Sequence, residues 1–389
     1  MGDSMAIVAD AWVIHGGLNP GCSEPATLKR ETISIDNLSE QEVLAEPLYG
    51  CWEGNMTHAL ERKPIDICRQ RKEERVVIGN AGVVRILKCG KDVTTVKEGD
   101  IALLFCNGKW DKFGYPIKIF GYDAEGSIGL LAKITKMHQF QVIPLPKNTR
   151  FTPQQWAAFS LRYVTAWSNW YLAYHTWRIQ MTEEDCPAPY VWGWGGGVSY
   201  AELALAKFTG CRVAMLSAND ERLNEFSRMG IIPIDRRQFV NLEFDDERYQ
   251  RDPEYKKGYL ESERQFLSVV NDLTDGLGVS IFVDYVGSPM IRATIKALAR
   301  QGVLTTAGWK HGMTITTYRA IECINRHQHV HTHYARYPQG RAAVRFAEET
   351  GWMPILDGHK EYAFDEIPQL AKDYSDGKCS YFPIFRINA

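Results

Sequence analysis

Residues 190–210, YVWGWGGGVSYAELALAKFTG, carry the pattern that most narrows what this chain can fold into. A short apolar run ends in Gly193, Trp194, Gly195, Gly196 and Gly197, and an Ala- and Leu-rich stretch follows from Val198 without a break. Glycines at this spacing let the backbone turn sharply and approach a ligand closely. A helix that starts at once offers unpaired N–H groups and the positive end of its dipole to an anion. The spacing therefore predicts a strand, a phosphate-cradling turn and a helix. A second apolar run, RVAMLSA, comes next, so the motif is expected to open a βαβ unit that binds a dinucleotide. Taken without its neighbours, the same turn would equally suit a strand–helix connection with no ligand.

Alternation continues downstream. NDERLNEFSRMG, SIFVDYV, PMIRATIKALARQG and VLTTAGW read in turn as helix, strand, helix and strand, which implies a parallel sheet with helices on its faces. Ahead of this, TPQQWAAFSLRYVTAWSNWYLAYHTW reads as one or two helices, with Thr152 as N-cap and Pro153 at the first helical position. From about residue 30 to 150 the texture is different: short β-rich segments such as RVVIGNAGVVRILKCG and KEGDIALLFCNGKW are cut by turn residues, as in an irregular all-β domain. The charged stretch 236–264 is expected to be a solvated excursion with partial helix, and after about residue 336 the texture is mixed again.

Composition excludes some classes of function. A net charge of −2 gives no electrostatic reason to bind nucleic acid or an anionic membrane. No apolar run approaches the roughly 18 residues that span a bilayer. The first twenty residues include Asp3 and Asp10 and have no basic lead, unlike a secretory leader. Nine cysteines stand singly, with no CxxC pair, which predicts neither a disulfide framework nor a structural zinc cluster and suits a cytoplasmic protein.

The second strand chooses between nicotinamide cofactors. An NAD site places an acid at its end, on the ribose hydroxyls. Here the strand ends Leu216-Ser217-Ala218-Asn219, with Asp220 only afterwards. Ser217 can donate to a 2′-phosphate and Arg222 can pair with it, so NADPH is the expected cofactor. Asp220 and Glu221 suit a helix N-terminus equally well.

With these residues in place the chain resembles the medium-chain dehydrogenase/reductase superfamily. The order of a β domain, VTAW (164–167), the glycine turn, DGLGVSIFVDYVG (275–287) and QGVLTTAG (301–308) matches it. The resemblance implies an α/β protein with a GroES-like β-rich catalytic domain, residues 1–155 and 336–389. A Rossmann-type nucleotide domain with a doubly wound parallel sheet would occupy 156–335. Zinc-dependent members carry a Gly-His-Glu motif where this chain reads Gly79-Asn80-Ala81, and Cys106 stands alone where they have four cysteines, so no metal is implied. Within the superfamily the chain is similar to crotonyl-CoA carboxylase/reductase-type enoyl-thioester reductases. IFGYDAEGSIGLLAK (119–133), the tryptophan-bearing nucleotide turn, the charged insert and HTHYA (331–335) carry that likeness. The chain departs from the group at Ser199, in its last strand, and near Tyr49–Cys51, where a pocket asparagine is missing.

By resemblance, such an enzyme passes hydride from NADPH to the β-carbon of an enoyl-CoA or carrier-protein thioester. The enolate then takes a proton or, in carboxylating members, carbon dioxide at the α-carbon. Conjugation already polarises the acceptor, so a metal is not needed. The resemblance places His333, Tyr49, Tyr122, Asp123 and Asn80 on the catalytic side, and Thr165, Gly287 and Gly308 with the glycine turn on the cofactor. Arg336, Arg341 and Lys310 are candidates for a CoA or phosphopantetheine phosphate. A homodimer or homotetramer is implied, with no nucleic-acid or membrane partner. Two other readings stay open: a zinc-free quinone or alkenal reductase, and a nucleotide-binding protein with lost or repurposed catalysis.

RHQHVHTHYA (326–335) places four histidines at alternate positions. On one strand, alternate residues are about 6.5–7 Å apart, too splayed for three imidazoles to share one ion. His327, His329 and His331 are therefore expected to be structural or exposed, and His333 to be the pocket residue.

Overall fold

Scattered prolines and turn glycines break the first third of the chain into short strands, and the structure follows that punctuation. The fold is given by a computed structural model that describes residues 7–16, 24–307, 311, 329–332, 334–356 and 358–389. The chain divides into two compact units, Met1–Val164 with Ala335–Ala389, and Thr165–Tyr334. The first division falls inside the helix Arg162–Gln180, whereas the sequence suggested a boundary ahead of it.

The first unit is β-rich. Among the described residues its main sheet runs in the order Val142–Pro144, Ile101–Leu104, Gly82–Cys89, Glu42–Cys51, Ile384–Arg386 and Glu361–Tyr362, with Thr135–His138 also paired to Glu42–Cys51. Glu42–Cys51 is buried along most of its length, as a central strand must be. Pro47 cannot donate to a ladder, and the register against Gly82–Cys89 shifts between Pro47 and Tyr49. Beyond that shift Tyr49 faces Val83 and Gly50 faces Gly82, which sets the far end of the strand beside Asn80 and Ala81. A smaller sheet joins Leu28–Ile35, Ile7–His15 and Arg75–Val76. Thr152 caps the helix Pro153–Phe159 by accepting from the Gln155 N–H, with Pro153 in its first turn. Phe159, Tyr163 and Trp352 pack ring to ring, with centroids 4.7–5.5 Å apart, at the centre of the unit's core.

The second unit is α/β. Its described strands are all parallel, in the order Ile232–Asp235, Arg212–Ser217, Tyr190–Trp194, Val279–Asp284, Leu298–Thr306 and His329–Thr332. Tyr190–Trp194 and Val279–Asp284 are buried at every position, the signature of strands covered on both faces. From Tyr190–Trp194 the chain winds outward through two strands, then returns to add three on the other side. That reversal creates a switch point between Tyr190–Trp194 and Val279–Asp284, the place where doubly wound sheets bind ligands.

The charged insert is more regular than its composition suggests. The helix Pro253–Leu273 runs through and beyond it, started by the Asp252 carboxylate accepting from Glu254 and Tyr255 N–H. Phe239 and Leu242 of the insert are buried in the same cluster as Trp194 and Phe282, and just beyond it Phe266 stacks on Trp194, so the insert packs on the sheet and is not merely solvated. No helix among the described residues is long and apolar enough to cross a membrane.

Candidate functional site

The glycine turn stands at the switch point. Gly195 has φ +138, and a Cβ there would lie 2.4 Å from Ser199 Oγ, so only glycine suits the position. A Cβ on Gly193 would meet the Val283 carbonyl oxygen at 2.8 Å, whereas one on Gly196 would meet nothing within 4 Å. The space over Gly196 is thus open at the start of the helix Gly197–Phe208, where Gly197, Val198 and Ser199 lack intrahelical partners for their N–H groups. These features fit a pyrophosphate. Ser199, where the sequence departs from its look-alikes, turns its hydroxyl under the turn and donates to the Trp194 carbonyl at 3.0 Å. The Trp194 indole is in the core against Phe266 and Phe282, so this residue acts on the turn through its backbone.

At the end of the second strand Ser217 is nearly buried, and its oxygen accepts from the Asn219 N–H at 3.1 Å, leaving its O–H to donate. Asn219 caps the helix Asp220–Arg228 through the Arg222 N–H. Arg237, which sequence reasoning passed over, pairs with Asp220 at 2.5 Å and with Asp235 at 2.7 Å. Both acids nearest the ribose end of the strand are therefore engaged by one guanidinium, which holds Asp235 below the usual carboxylate range. Its signal in sequence was Arg236-Arg237 immediately after the third strand, which ends at Asp235.

After Val279–Asp284 the chain closes on itself. The Asp284 carboxylate accepts from the N–H groups of Val286 and Gly287, both at 2.9 Å, and from Thr294 Oγ1 at 2.7 Å. Gly287 has φ +89, which accounts for glycine there. Thr165 is half-buried near the start of its helix, and its carbonyl accepts from Ser168 Oγ. Gly308 and Lys310 lie outside the described residues.

In the β-rich unit two backbone bonds place Asn80. The Gly79 N–H donates to the Gly121 carbonyl at 3.0 Å, tying the segment before Asn80 to the turn that bears Tyr122 and Asp123. The Cys51 N–H donates to the Ala81 carbonyl at 3.0 Å, tying the segment after it to the end of the strand that bears Tyr49. The Asn80 side chain is fully buried, and neither amide atom has a hydrogen-bond partner. Leaving such a group unpaired is costly, which marks it as awaiting a ligand or a water. Tyr49 and Tyr122 are buried too. Asp123 is committed to its own turn, accepting from the Ile119 N–H at 2.6 Å. The ladder therefore brings the segments of Tyr49, Asn80 and Tyr122 together, with Asp123 as their turn-former.

Beside them lies a cluster that the sequence did not disclose. The buried Arg162 guanidinium donates to Cys51 Sγ and to the Trp52 carbonyl, and sits 2.8 Å from the Glu53 carboxylate. Burial pushes the Glu53 carboxyl up to about 7, against the pull of Arg162, and pushes the Cys51 thiol up to about 12. Cys51 is thus a protonated packing residue, not a nucleophile at neutral pH. Among the described residues no group of three or more His, Cys, Asp or Glu side chains is placed to hold a metal ion. His327 and His333 lie outside the described residues. His329 is half-buried on the strand His329–Thr332, which pairs with Leu298–Thr306, while nothing is described of the His331 side chain.

No family model and no curated protein sequence matches the chain. Solved structures do. Crotonyl-CoA carboxylase/reductase AntE in complex with NADP overlays with a TM-score of 0.78, at 20% identity, over 98% of this chain and 95% of that one. The 2-octenoyl-CoA carboxylase reductase CinF, in complex with NADP and 2-octenoyl-CoA, gives 0.78 at 15% identity over 98% and 88%. A thermostable alcohol dehydrogenase from Pyrobaculum aerophilum gives 0.71 at 14% identity over 98% and 100%. The chain thus has the fold of the medium-chain dehydrogenase/reductases, a GroES-like unit joined to a Rossmann unit. Within that fold its likeness extends to crotonyl-CoA carboxylase/reductases over nearly the whole chain.

Proposed function

We propose that the chain is an NADPH-dependent reductase of α,β-unsaturated thioesters. The observation that carries this reading is the glycine turn at the switch point. Its neighbouring strand ends in a hydroxyl, Ser217, and the acids beyond it are engaged by Arg237. That the overlaid carboxylase/reductases bind NADP, and one of them 2-octenoyl-CoA, supports it.

When bound, the reduced nicotinamide supplies the hydride. The N–H groups of Gly197, Val198 and Ser199 hold the pyrophosphate, and Ser217 with Arg222 holds the 2′-phosphate. Hydride arrival at the β-carbon drives charge onto the thioester carbonyl oxygen. Asn80 Nδ2, buried and unpartnered, is suited to donate to that oxygen as charge develops. A tyrosine hydroxyl, Tyr49 or Tyr122, is suited to pass a proton to the α-carbon. Burial raises Tyr49 above its ordinary phenol value and so keeps it protonated as a donor.

The test is a substrate panel of crotonyl-CoA, 2-octenoyl-CoA, free alkenals and quinones, followed by NADPH and by NADH consumption. Enoyl thioesters turned over with NADPH are the expected result. Turnover of free enones or quinones alone would make the chain a quinone or alkenal reductase, and tight NADPH binding with no turnover would make it a non-catalytic nucleotide-binding protein. Product mass with added bicarbonate decides whether carbon dioxide is fixed, and unchanged rates in a metal chelator are expected.

A further inference from the structure

The helix Gly197–Phe208 is buried over most of its length, and a carboxyl with no exposed surface, Glu202, stands in the middle of it. Glu202 Oε2 accepts from the Tyr285 hydroxyl at 2.8 Å, and that hydroxyl accepts from Asn169 Nδ2 at 2.5 Å. Tyr285 and Asn169 are buried as well. Glu202 Oε1 and Asn169 Oδ1 have no hydrogen-bond partner. The hydride chemistry makes no use of these groups, and a polar chain so placed is costly unless it does something.

The three residues stand on three separate pieces of the nucleotide unit. Asn169 is one helical turn beyond Thr165, Glu202 is in the helix that the glycine turn begins, and Tyr285 lies between Asp284 and Gly287. Tyr285 also touches the turn directly. Its N–H donates to the Trp194 carbonyl at 3.2 Å, and a Cβ on Gly195 would stand 3.0 Å from Tyr285 Cβ.

We propose that Asn169, Tyr285 and Glu202 are positioning residues for the dinucleotide. Their chain of hydrogen bonds fixes the glycine turn against the Tyr285–Gly287 segment, and an uncharged Glu202 keeps negative charge from beneath the pyrophosphate. The inference rests on the reading of the turn as a dinucleotide site. Burial pushes the Glu202 carboxyl up to about 8, against the hydrogen bond from Tyr285, so it is neutral at pH 7. Among the described residues, charged and titratable groups on the surrounding elements have other partners. Asp284 faces Thr294 and the Val286 and Gly287 N–H groups, Arg212 and Tyr190 face Asp275, Tyr200 faces Glu225, Lys207 faces the Met229 carbonyl, and Arg178 faces the Cys186 carbonyl. Tyr285 faces Glu202, and burial holds it well above the ordinary phenol value, so it remains a donor. Ionising Glu202 puts an anion under a turn that receives anions, and nucleotide affinity then falls as pH rises.

NADPH is titrated by its fluorescence into the wild type, Glu202→Gln and Tyr285→Phe from about pH 7 to 9.5, a window in which its own phosphate, titrating near 6, does not change charge. The unfolding temperature of each protein is recorded alongside. The wild-type Kd is expected to climb with pH, while that of Glu202→Gln stays flat. Tyr285→Phe is expected to bind about tenfold more weakly at pH 7, the size set by leaving a buried acceptor without its donor. A Glu202→Gln variant with the wild-type pH dependence would overturn the proposal. So would wild-type affinity in both variants. Glu202→Gln is isosteric and keeps the test open should Tyr285→Phe lose its fold. A wild type that binds no NADPH at any pH overturns the dinucleotide reading itself, a different result from wild-type binding that ignores both substitutions.

Discussion

Asn80 and Glu202 are both polar groups taken fully out of water, and each implies a measurement. With Asn80 as the donor to a developing oxyanion, Asn80→Ala should lower kcat/KM for an enoyl thioester by about 10²–10³-fold. The Kd for NADPH should not move, since the glycine turn is on the other unit; initial rates and a fluorescence titration separate the two. Glu202 makes a prediction about stability. Its folded carboxyl is raised from 4.5 to about 8, so the stability it contributes is full below about pH 4.5 and is lost as pH rises through about 8. Glu202→Gln should therefore gain in unfolding temperature over the wild type between those limits, and a constant difference across them would contradict this. Asn80 was legible because it stands in Gly-Asn-Ala, where its resemblance expects a metal-binding histidine. Glu202 was available but unread: an acid in GVSYAELALAKF, a stretch apolar on every side, signals a buried partner even though the partner's identity is hidden 83 residues away.

Local rules made some elements readable and left others dark. The strand, glycine turn and helix of 190–208 and the Thr152–Pro153 helix start could be read because their determinants are adjacent in the chain. The helix Pro253–Leu273 was under-read because its charges outnumber Tyr259, Phe266 and Val270, whose helical spacing still marks one buried face. The Arg162 cluster could not be read, since Cys51 is 111 residues from the arginine that bonds it. It ties the first turn of Arg162–Gln180 to the end of Glu42–Cys51 through a buried ion pair. Removing Arg162 leaves the buried Glu53 carboxyl, Cys51 sulfur and Trp52 carbonyl without their donor, so Arg162→Ala should cost about 3–5 kcal/mol in urea unfolding. The double change Arg162→Met with Glu53→Gln, which removes both charges, should recover most of that loss.

At the scale of the whole chain, ligand and fold are linked by mass action. NADPH at about a hundred times its Kd should add about 2.7 kcal/mol to the stability of the unit Thr165–Tyr334. NADH at the same concentration should add less, and equal shifts in unfolding temperature would remove Ser217 and Arg222 as selectors of the 2′-phosphate. The two-unit plan was legible because the β-rich and alternating textures differ, but the pairing that closes the first unit was not. There, Ile384–Arg386 lies against Glu42–Cys51, so the β-rich unit is sewn from two segments far apart in the sequence. This imposes an order on synthesis. The α/β unit is one continuous segment, whereas the Tyr49–Cys51 end of Glu42–Cys51 keeps a bare flank until residues 384–386 emerge from the ribosome. During that interval the unpaired N–H and C=O groups of that strand end are open to stray pairing, and residues 384–386 act as its closing stitch.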